Sequence, residues 1–472
     1  MWDVIVVGGG SAGLTATIFA AERGARVLLL EAADVLGGTL WVATGQMSAA
    51  GTRLQRERGI ADTPDAHFAD VIRISRGTIN RGLARLAIDN AAATFDWLMD
   101  RGFEPLPEHP IKGFGHEPYS ENRYYWGPQG GVSVKDVLVP IVEGLVADGK
   151  VDLRLEHEAT ALETDDGGAV RGVSARNAAG ETLRFDGDAV VLTTGGYAAH
   201  PELFAEHSGY PLYNAAPWRF SRGAGLALGR GAGGYLRGHE NVFNNFGTLY
   251  NADSFPARAL ATVETFPERR EPWEIYVNAR GDRFIREDIR SVDAREMALS
   301  EQPDRRYWII FDQAILDAAP PILVGWSREQ IVQAFAEDGP AFSHADTLDA
   351  LAAAAGIDPA GLVRAVAGFN YGVETGNDFF GRAHAPQPIG TGPFYAIRMQ
   401  GSSISSAVGL AVDDELRVIR EDGSVIANLY AAGELLGSGQ TMGKAACGGM
   451  MVTPALTFGR LLGERLAARV AA

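Results

Sequence analysis

The sequence predicts an α/β fold with two domains, and three observations support this prediction. The chain has 472 residues, which is more than one compact core usually holds. Hydrophobic residues make up 46% of it and glycines number 58, a composition typical of globular α/β proteins with many tight strand-to-helix turns. The first 31 residues contain a strand, a glycine-rich turn, a helix and a second strand, in the order that builds a parallel sheet.

The N-terminal segment predicts a Rossmann-type βαβ unit. Val4 to Val7 is a short apolar run typical of a buried strand. An alanine-rich helical segment runs from about Ser11 to Arg23, and Gly24 ends it. A second apolar strand, Ala25 to Leu30, follows. We therefore expect two neighbouring parallel strands joined by one helix.

The turn inside this unit carries the pattern G-x-G-x-x-G, which predicts a dinucleotide site. Gly8 permits the tight turn, Gly10 lets the backbone approach a pyrophosphate, and Gly13 lets the helix pack on the strand. The N-terminus of the helix offers free N–H groups to phosphate. Glu31 ends the second strand, where an acid accepts hydrogen bonds from the adenosine ribose. Because the first strand, the helix, the second strand and the acid occur in this order, we favour a dinucleotide site over a glycine-rich turn in another α/β fold.

The rest of the chain supplies further strands, an inserted segment and a final helix. The strand-like ranges are 151–173, with a turn at 166–168, then 188–194 and 428–432. Thr453 and Pro454 have the residue types of an N-cap and a first helical position, so the last helix is expected to start there and run towards Ala472. Residues 234–394 lack dinucleotide features and are richer in aromatic and charged residues, which predicts an inserted second domain.

Composition excludes several classes of function. The formal charge of −17 and the pI near 5.0 disfavour nucleic acid and anionic membranes as partners. A single cysteine, Cys447, excludes an internal disulfide framework and a cysteine-ligated cluster, and the nine histidines show no metal-ligand spacing, so we expect no metal. We expect no membrane span and no signal peptide, because no apolar run is long enough and no charged segment precedes the first strand. The expected location is cytoplasmic.

Several motifs together resemble one superfamily of flavoproteins. They are G-G-G-S-A-G-L from Gly8, E-A-A-D-V-L-G-G-T ending at Thr39, L-T-T-G-G around Gly195, V-N-A-R-G-D-R-F-I-R-E-D from Val277, G-N-D-F-F-G-R from Gly376, G-P-F-Y-A-I from Gly392 and L-Y-A-A-G-E around Glu434. Over nearly its whole length the chain resembles the superfamily of the FAD-dependent fumarate reductases, the succinate dehydrogenase flavoprotein and the 3-ketosteroid dehydrogenases. The segment after Cys447 is more similar to the 3-ketosteroid dehydrogenase-like branch.

The resemblance implies a fold and a cofactor. It implies a Rossmann-type FAD-binding domain, glutathione-reductase-like, formed by residues 1–233 and 395–472, with an inserted α+β capping domain at 234–394 and the active site between them. The superfamily's covalent flavin attachment uses a histidine shortly after the G-G-T segment. Thr39, Leu40 and Trp41 stand there, which implies non-covalent FAD. Since the chain has one dinucleotide fingerprint, the expected partners are a small-molecule substrate and an external electron acceptor, which is O2, a quinone or a redox protein.

The resemblance and the glycine-rich turn together give a set of expected FAD-binding residues. They are Gly8, Gly10, Ser11, Ala12, Gly13, Glu31, Ala32, Gly38, Thr39, Gly45, Ala159, Thr194, Gly195, Gly196, Gly433, Glu434, Gly448, Gly449, Met450 and Met451.

The residues with which fumarate reductases bind a dicarboxylate are missing. The proton-donating arginine falls on Ser291, with Arg290 beside it, and the carboxylate-binding histidine and second arginine fall on Ser406 and Ala446. The superfamily's Thr-Glu pair falls on Phe266 and Pro267. Without guanidinium groups to bind them, two carboxylates are poorly compensated for their lost hydration. Fumarate and succinate are therefore disfavoured as substrates.

The ketosteroid-type scheme fits better, although only in part. There a tyrosine removes the proton beside a ketone and hydrogen-bond donors stabilise the enolate. Gly449 matches a backbone N–H donor of that branch, whereas the base and a late-loop tyrosine fall on Ser291 and Ala445. We expect Tyr125 or Tyr124 to act as the acid/base instead, with Arg290 or Ser291 supporting a carbonyl oxygen. Core packing explains the two tyrosines about equally well.

Two other candidates have structural explanations that we favour. His116 is more often a hydrogen-bonded loop histidine than a catalytic one. Cys447 is a small residue in a tight loop with only Lys444 nearby to lower its pKa. The expected function is FAD-dependent oxidoreduction of a CH–CH bond next to a carbonyl, as a ketone desaturase or an enone reductase. The alternatives are a fumarate-reductase-like or tricarballylate-type enzyme and an FAD-dependent amine or alcohol oxidase.

Overall fold

A computed structural model describes residues 1–113, 115–266, 269–337 and 339–470 of the protein, so Pro267 lies outside the described residues. The chain forms two compact units. Unit 1 consists of Met1–Gly209, Ala216–Val242 and Ile404–Ala472, and unit 2 consists of Tyr210–Ala215 and Phe243–Ser403. The sequence predicts domain boundaries after residues 233 and 394, whereas the long segment of unit 2 begins after residue 242 and ends at residue 403. That unit 2 caps a substrate stays a prediction.

The strands are, in chain order, β1 (Val4–Val7), β2 (Val27–Leu30), β3 (Met47–Ser48), β4 (Tyr124–Tyr125), β5 (Val151–Arg154), β6 (Glu158–Thr164), β7 (Val170–Arg176), β8 (Thr182–Asp186), β9 (Val190–Leu192), β10 (Leu236–Arg237), β11 (Thr248–Tyr250), β12 (Ala259–Thr262), β13 (Ile275–Val277), β14 (Arg306–Asp312), β15 (Phe342–Ala345), β16 (Phe394–Gln400), β17 (Gly409–Leu410), β18 (Arg417–Ile419) and β19 (Val425–Ala431).

The α-helices are α1 (Ser11–Ala21), α2 (Arg53–Glu57), α3 (Pro64–Ile74), α4 (Arg81–Asp100), α5 (Gly131–Ala147), α6 (Pro201–Ser208), α7 (Ala224–Gly231), α8 (Val292–Ser300), α9 (Gln313–Ala318), α10 (Arg328–Ala336), α11 (Leu348–Ala355), α12 (Pro359–Thr375), α13 (Ser438–Thr441) and α14 (Val452–Val470). Among the helices of the described residues, none combines the length and the apolar character needed to cross a bilayer.

Unit 1 is built on a six-stranded sheet in the order β18-β19-β9-β1-β2-β5. Strands β19, β9, β1, β2 and β5 run parallel, and β18 is antiparallel at the edge. The central strands β1 and β2 are apolar at every position and fully buried, as expected for parallel strands covered on both faces. The predicted N-terminal βαβ unit and the α/β fold class are therefore confirmed.

Helix α1 follows β1 and is buried along nearly its whole length. Its apolar residues face the sheet on one side, and α14 packs on the other. The contact with α14 is close because Gly459 and Gly463 lie on it: a Cβ at Gly459 would come within 2.2 Å of the Ala12 carbonyl oxygen. Helix α1 ends at Ala21, two residues before its predicted end, since the chain turns tightly ahead of Gly24.

The predicted start of the last helix was wrong. Helix α14 begins at Val452, so Thr453 and Pro454 lie inside its first turn instead of forming its cap. The hydroxyl of Thr453 is used elsewhere: it accepts a hydrogen bond from the Ser48 N–H at 2.8 Å and donates to the Ser48 carbonyl at 3.1 Å. A hydroxyl engaged with a neighbouring strand does not cap its own helix.

Unit 2 has an antiparallel sheet with helices, which makes it α+β. Its strands are ordered β12-β11-β16-β14-β13, and β15 also pairs with β16. The long pair β14 and β16 forms the centre and buries aromatic and branched side chains from both strands. A network of buried ion pairs lies beside this core, in which Arg283 contacts Glu287 and Asp378 at 2.6 Å each.

Candidate functional site

Unit 1 contains a cleft at the carboxyl ends of its parallel strands. Its volume is about 1400 Å³ when the part open to solvent is included. Val7 and Leu30 line it from the ends of β1 and β2, and Thr193 and Gly433 line it from just beyond β9 and β19. This edge is where ligands bind in open α/β sheets, because the strand ends and the turns that follow them leave a crevice.

Most of the residues expected to bind the cofactor line this cleft. Those that do are Gly8, Gly10, Ser11, Ala12, Glu31, Ala32, Gly38, Thr39, Ala159, Thr194, Gly195, Gly433, Glu434 and Met451. Those that do not are Gly13, Gly45, Gly196, Gly448, Gly449 and Met450. For the members of the second group, direct contact with the cofactor stays a prediction.

The glycine-rich turn has the geometry that each glycine predicts. Gly8 has φ +106°, and a Cβ there would lie 2.5 Å from the Thr193 carbonyl oxygen. A Cβ at Gly13 would lie 1.8 Å from the Gly8 carbonyl oxygen, so this glycine lets α1 approach the turn. A Cβ at Gly10 would meet no atom of the described residues within 4 Å, apart from its own chain neighbours. Gly10 therefore keeps space open in the cleft instead of relieving a contact within the protein.

Helix α1 presents unsatisfied donors to the cleft. Its N-cap is Gly10, which has no side chain, and the first N–H bonded within the helix belongs to Leu14. The N–H groups of Ser11 and Ala12 are therefore available, and both residues line the cleft. Backbone donors at a helix N-terminus bind phosphate well.

Glu31 is held rigidly at the end of β2. One carboxylate oxygen accepts from the Gly9 N–H at 2.6 Å and the other from the Ala33 N–H at 2.8 Å. Burial raises the pKa of this carboxyl, although both hydrogen bonds oppose the shift. Each oxygen keeps a further lone pair, so the carboxylate is able to accept hydrogen bonds from a ribose.

Two further polar residues, Thr194 and Glu434, line the cleft. The hydroxyl of Thr194 is buried and has no partner among the described residues, which indicates that a ligand completes it. Glu434 is half-buried, and desolvation raises the pKa of its carboxyl. It accepts from the Ser406 N–H at 3.1 Å.

Sequence reasoning missed several lining residues. They are Val7, Leu30, Leu40, Ala43, His157, Glu158, Thr193, Trp218, Phe220, Ser221, Arg222, Ala224, Val452 and Ala455. The stretch 218–222 precedes α7 and has no strand or helix periodicity. One signal was available: Gly223 and Gly225 open α7, and a Cβ at Gly225 would lie 1.9 Å from the Thr194 hydroxyl. A second glycine pair before a helix indicates another close approach of backbone.

The loop before α14, residues 445–451, which we call the late loop, contacts two tyrosines. The Tyr119 hydroxyl donates a hydrogen bond to the Gly448 carbonyl. The ring of Tyr124 packs on the same residue, since a Cβ at Gly448 would lie 2.9 Å from it. Gly449 has φ +80° and is pressed against Ser48, whose nitrogen would lie 2.3 Å from an added Cβ. Of the expected catalytic residues, the structure thus brings Tyr124 and Gly449 to one loop.

Tyr125 lies in the interior of unit 1. It is fully buried, its hydroxyl hydrogen-bonds with the Thr52 hydroxyl at 2.9 Å, and its ring lies 4.1 Å from that of Phe95. These contacts favour the structural explanation that its sequence context also allowed. A catalytic role for Tyr125 stays a prediction without support from its position.

The other two catalytic candidates, Ser291 and Arg290, belong to unit 2. Ser291 is the N-cap of α8, and its hydroxyl accepts from the Ala294 N–H at 3.2 Å. Arg290 is exposed. The capping hydroxyl has a local structural function, which explains a serine at this position.

The protein matches the model of a family described as FAD binding domain over residues 3–450. The chain belongs to the FAD binding domain family. It is 29% identical over 470 residues to the fumarate reductase (cytochrome) of Shewanella frigidimarina, covering 98% of this chain and 77% of that protein. It is 27% identical over 550 residues to the 4-oxocyclohexanecarboxylate 2-dehydrogenase of Sinomonas cyclohexanicum, covering 100% of this chain and 93% of that protein.

The fold of this FAD binding domain protein is similar to that of a solved ketosteroid enzyme. The 3-ketosteroid delta1-dehydrogenase from Sterolibacterium denitrificans matches with a TM-score of 0.72 at 21% identity and covers 99% of both chains. The superfamily expected from the sequence is confirmed. The protein is an FAD-dependent oxidoreductase that acts on CH–CH bonds.

The cleft fits the cofactor of this family. The open space at Gly10, the available N–H groups at the start of α1 and the partnerless Thr194 hydroxyl each match a group that FAD offers. The α1 N–H groups would hold the pyrophosphate, Glu31 the ribose, and Thr194 a polar edge of the cofactor.

Proposed function

We propose that this enzyme desaturates ketones or, in the reverse direction, reduces enones. The proposed substrate is not a dicarboxylate. Bound FAD supplies the acceptor or donor of a hydride in this chemistry. The chain itself binds the carbonyl oxygen, moves a proton at the adjacent carbon and excludes water. We also propose that FAD is held without a covalent bond and that an external acceptor reoxidises it.

The proposal rests mainly on the burial and the hydrogen bonds of Ser406. Ser406 stands where the superfamily's carboxylate-binding histidine falls, yet it is fully buried. Its hydroxyl accepts from the Tyr197 N–H at 2.7 Å, and its own N–H donates to Glu434. A hydroxyl engaged in this way has no position from which to bind a substrate carboxylate. Ala446 offers no polar side chain at the position of the second arginine.

The late loop supports binding of a carbonyl oxygen. Gly449 is buried, and its N–H donates to no group among the residues that the structure describes. A buried N–H without an acceptor is rare and indicates that a ligand supplies one. We propose that this N–H donates to the substrate carbonyl and strengthens that bond as negative charge develops on the oxygen.

Tyr124 is the proposed proton donor and acceptor of unit 1. Its ring packs on Gly448, next to the proposed carbonyl site, whereas the Tyr125 hydroxyl is engaged with Thr52. Burial raises the pKa of Tyr124, so its hydroxyl is protonated at neutral pH. A protonated phenol suits enone reduction, in which the carbon beside the carbonyl receives a proton. The support of a carbonyl oxygen by Ser291 or Arg290 stays part of the proposal.

One relative supports the ketone as substrate class. The Sinomonas cyclohexanicum protein is named for dehydrogenating 4-oxocyclohexanecarboxylate, which is a cyclic ketone, and this chain covers 93% of it. The second candidate is reduction of a carbon–carbon double bond beside a carboxylate. The 29% identity to the Shewanella frigidimarina fumarate reductase favours it. Arg290 would then be the first cation to examine.

Anaerobic bleaching of the bound flavin tests the two candidates. The panel contains cyclic ketones, 3-ketosteroids, succinate, tricarballylate, amines and alcohols, and dithionite-reduced enzyme is offered the matching enones and fumarate. We expect a ketone to bleach the flavin, or an enone to reoxidise it, and Tyr124→Phe to slow this step about 100-fold or more. Tyr430→Phe is the matched control, since Tyr430 lies on β19 and pairs with Arg469. A response to dicarboxylates alone would refute the ketone assignment.

A further inference from the structure

We propose that Tyr119 is a positioning residue that polarises the peptide group between Gly448 and Gly449 and thereby sets the strength of the Gly449 N–H as a hydrogen-bond donor. This inference rests on the proposed function, in which that N–H binds the substrate oxygen. Tyr119 does not touch the substrate in this scheme. It acts from the opposite side of one peptide plane.

The contact at the carbonyl end is direct. The hydroxyl of Tyr119 donates to the Gly448 carbonyl oxygen, and the side chain is 3% exposed. Burial raises the pKa of Tyr119 well above its ordinary value. The phenol therefore stays protonated, and it is always the donor because a carbonyl oxygen only accepts.

The two ends of the peptide group are chemically linked. The carbonyl of Gly448 and the N–H of Gly449 belong to the same planar amide, and this bond is trans, so the N–H points away from the side on which Tyr119 lies. Donation to the oxygen increases the double-bond character of the C–N bond and leaves the N–H more positive. Chains of hydrogen bonds strengthen one another in this way by about 10–30% per bond.

The N–H of Gly449 has no acceptor among the described residues, whereas the Met450 N–H and the Gly449 carbonyl are both hydrogen-bonded. The Met450 N–H donates to the Cys447 carbonyl at 3.1 Å, and the Thr453 N–H donates to the Gly449 carbonyl at 3.1 Å. Within the part of the chain that the structure describes, the Gly449 N–H is thus a buried donor without an acceptor, which a ligand would supply. The N–H that Tyr119 polarises is therefore the same N–H that lacks an acceptor among the described residues.

The position of Tyr119 is fixed by a buried charge network. The Arg123 guanidinium lies over its ring at 5.3 Å, and the edge of His67 meets the ring at 5.4 Å and 90°. Arg123 is in turn held by Asp62 at 2.7 Å and Asp70 at 2.6 Å, and it is completely buried. These two contacts restrict the movement of the ring and keep its hydroxyl at the late loop. This is the rigidity that a preorganised donor needs.

4-Nitrophenol is the probe for this inference. Its phenolate resembles an enolate, ionises near neutral pH and is visible by absorbance, so its affinity and its pKa when bound to the holoenzyme report the strength of the oxyanion donor. Tyr119→Phe is expected to weaken phenolate binding about five- to tenfold and to raise the bound pKa, with FAD still bound. Tyr430→Phe is expected to leave both values unchanged.

Fluorotyrosine at position 119 separates polarisation from packing. It keeps the shape of the ring and makes the hydroxyl a stronger donor, so phenolate affinity should rise above that of the wild type. This variant also answers the case in which Tyr119→Phe fails to fold. Equal affinity in wild type, fluorotyrosine and phenylalanine variants would overturn the inference while leaving the oxyanion site intact.

An amide-to-ester replacement at Gly449 links the effect to its N–H. Cys447 lies two residues before Gly449 and is the only cysteine, so a synthetic segment 447–472 with glycolate at 449 can be joined there by native ligation. We expect this ester to weaken phenolate binding and Tyr119→Phe to have no further effect on it. A Tyr119→Phe effect that persists in the ester would refute the inference. If wild-type enzyme does not bind the phenolate, the proposed function fails and the inference falls with it.

Discussion

We expect the burial of His67 to make the protein sensitive to acid. The residue is completely buried, and neither ring nitrogen has a partner among the described residues. Burial, assisted by the Arg123 charge and opposed by Asp70, lowers the pKa of His67 to about 3. In the unfolded chain this histidine binds a proton near pH 6.5, whereas in the folded protein it binds one only near pH 3. The contribution of His67 to stability is therefore fully present above pH 6.5 and is lost as the pH falls towards 3.

The predicted effect is measurable by urea unfolding of the apoprotein. Between pH 7 and pH 4, His67 alone should lower the free energy of unfolding by about 3 kcal/mol. His67→Phe fills the same volume without titrating, so its loss over this range should be smaller by that amount. His344→Phe, at an exposed position, should follow the wild type. Identical pH profiles for wild type and His67→Phe would show that this histidine is not buried as described.

Arg283 illustrates how much a buried charge depends on its partners. Its guanidinium is almost fully buried and contacts Glu287 and Asp378 at 2.6 Å each, and Glu287 also lies 3.3 Å from Arg382. Arg283→Met leaves two buried carboxylates with one cation, which should lower the free energy of unfolding by about 3–5 kcal/mol.

The matched control for Arg283 lies three residues away. Arg280 is 67% exposed and pairs with Asp282 at 3.4 Å, so Arg280→Met should change stability by less than about 1 kcal/mol. Denaturant unfolding of both variants measures the difference. Equal effects would mean that the burial of the Arg283 network contributes nothing specific.

At the scale of elements, the glycine-rich turn separates folding from cofactor binding. Gly13→Ala places a methyl group 1.8 Å from the Gly8 carbonyl oxygen and should destabilise the apoprotein by about 3 kcal/mol or more. Gly10→Ala meets no atom within 4 Å in the part of the chain that the structure describes, chain neighbours aside. It should leave apoprotein stability within about 1 kcal/mol of wild type and weaken FAD binding about 100-fold or more.

Two measurements check this pair of glycine variants, flavin titration and apoprotein unfolding. Gly144→Ala in the exposed part of α5 is the control, and it should bind FAD normally and gain about 0.5–1 kcal/mol of stability. Normal FAD affinity in Gly10→Ala would show that the cofactor does not occupy the space beside α1.

The same elements show which features the sequence predicts well. The strand, turn and helix of residues 4–30 were predicted because their signals are contiguous and each has a local mechanical cause. The start of α14 was mispredicted because Thr453 uses its hydroxyl on Ser48, a partner that no local pattern reveals. The cleft residues at 218–222 were missed for a related reason, since they reach the site through an irregular segment. Tyr119 was overlooked because its hydrogen bond joins residues 329 positions apart.

At the scale of the molecule, the net charge of −17 sets a condition for stability. The chain has 59 acidic and 42 basic residues. The excess negative charges lie closer together in the folded protein than in the unfolded chain, so they repel one another more strongly there. Raising NaCl from about 0.02 to about 0.3 M shortens the screening length and should raise the free energy of unfolding by about 1 kcal/mol. Urea unfolding at the two salt concentrations measures this, and KCl should act like NaCl. A decrease with salt would show that attractive pairs outweigh the repulsion.

The division of unit 1 into three chain segments has a consequence for biosynthesis. Its sheet places β19, from the last fifty residues, beside β9, which pairs with β1 on its other side, and the cleft needs Gly433, Glu434 and Met451 for its lining. Unit 2 is nearly continuous, so it has all of its strands once residue 403 has left the ribosome. Unit 1 contains the first residues to be translated, yet its cofactor cleft cannot be complete until Met451 has been added to the chain, after the last strand of unit 2.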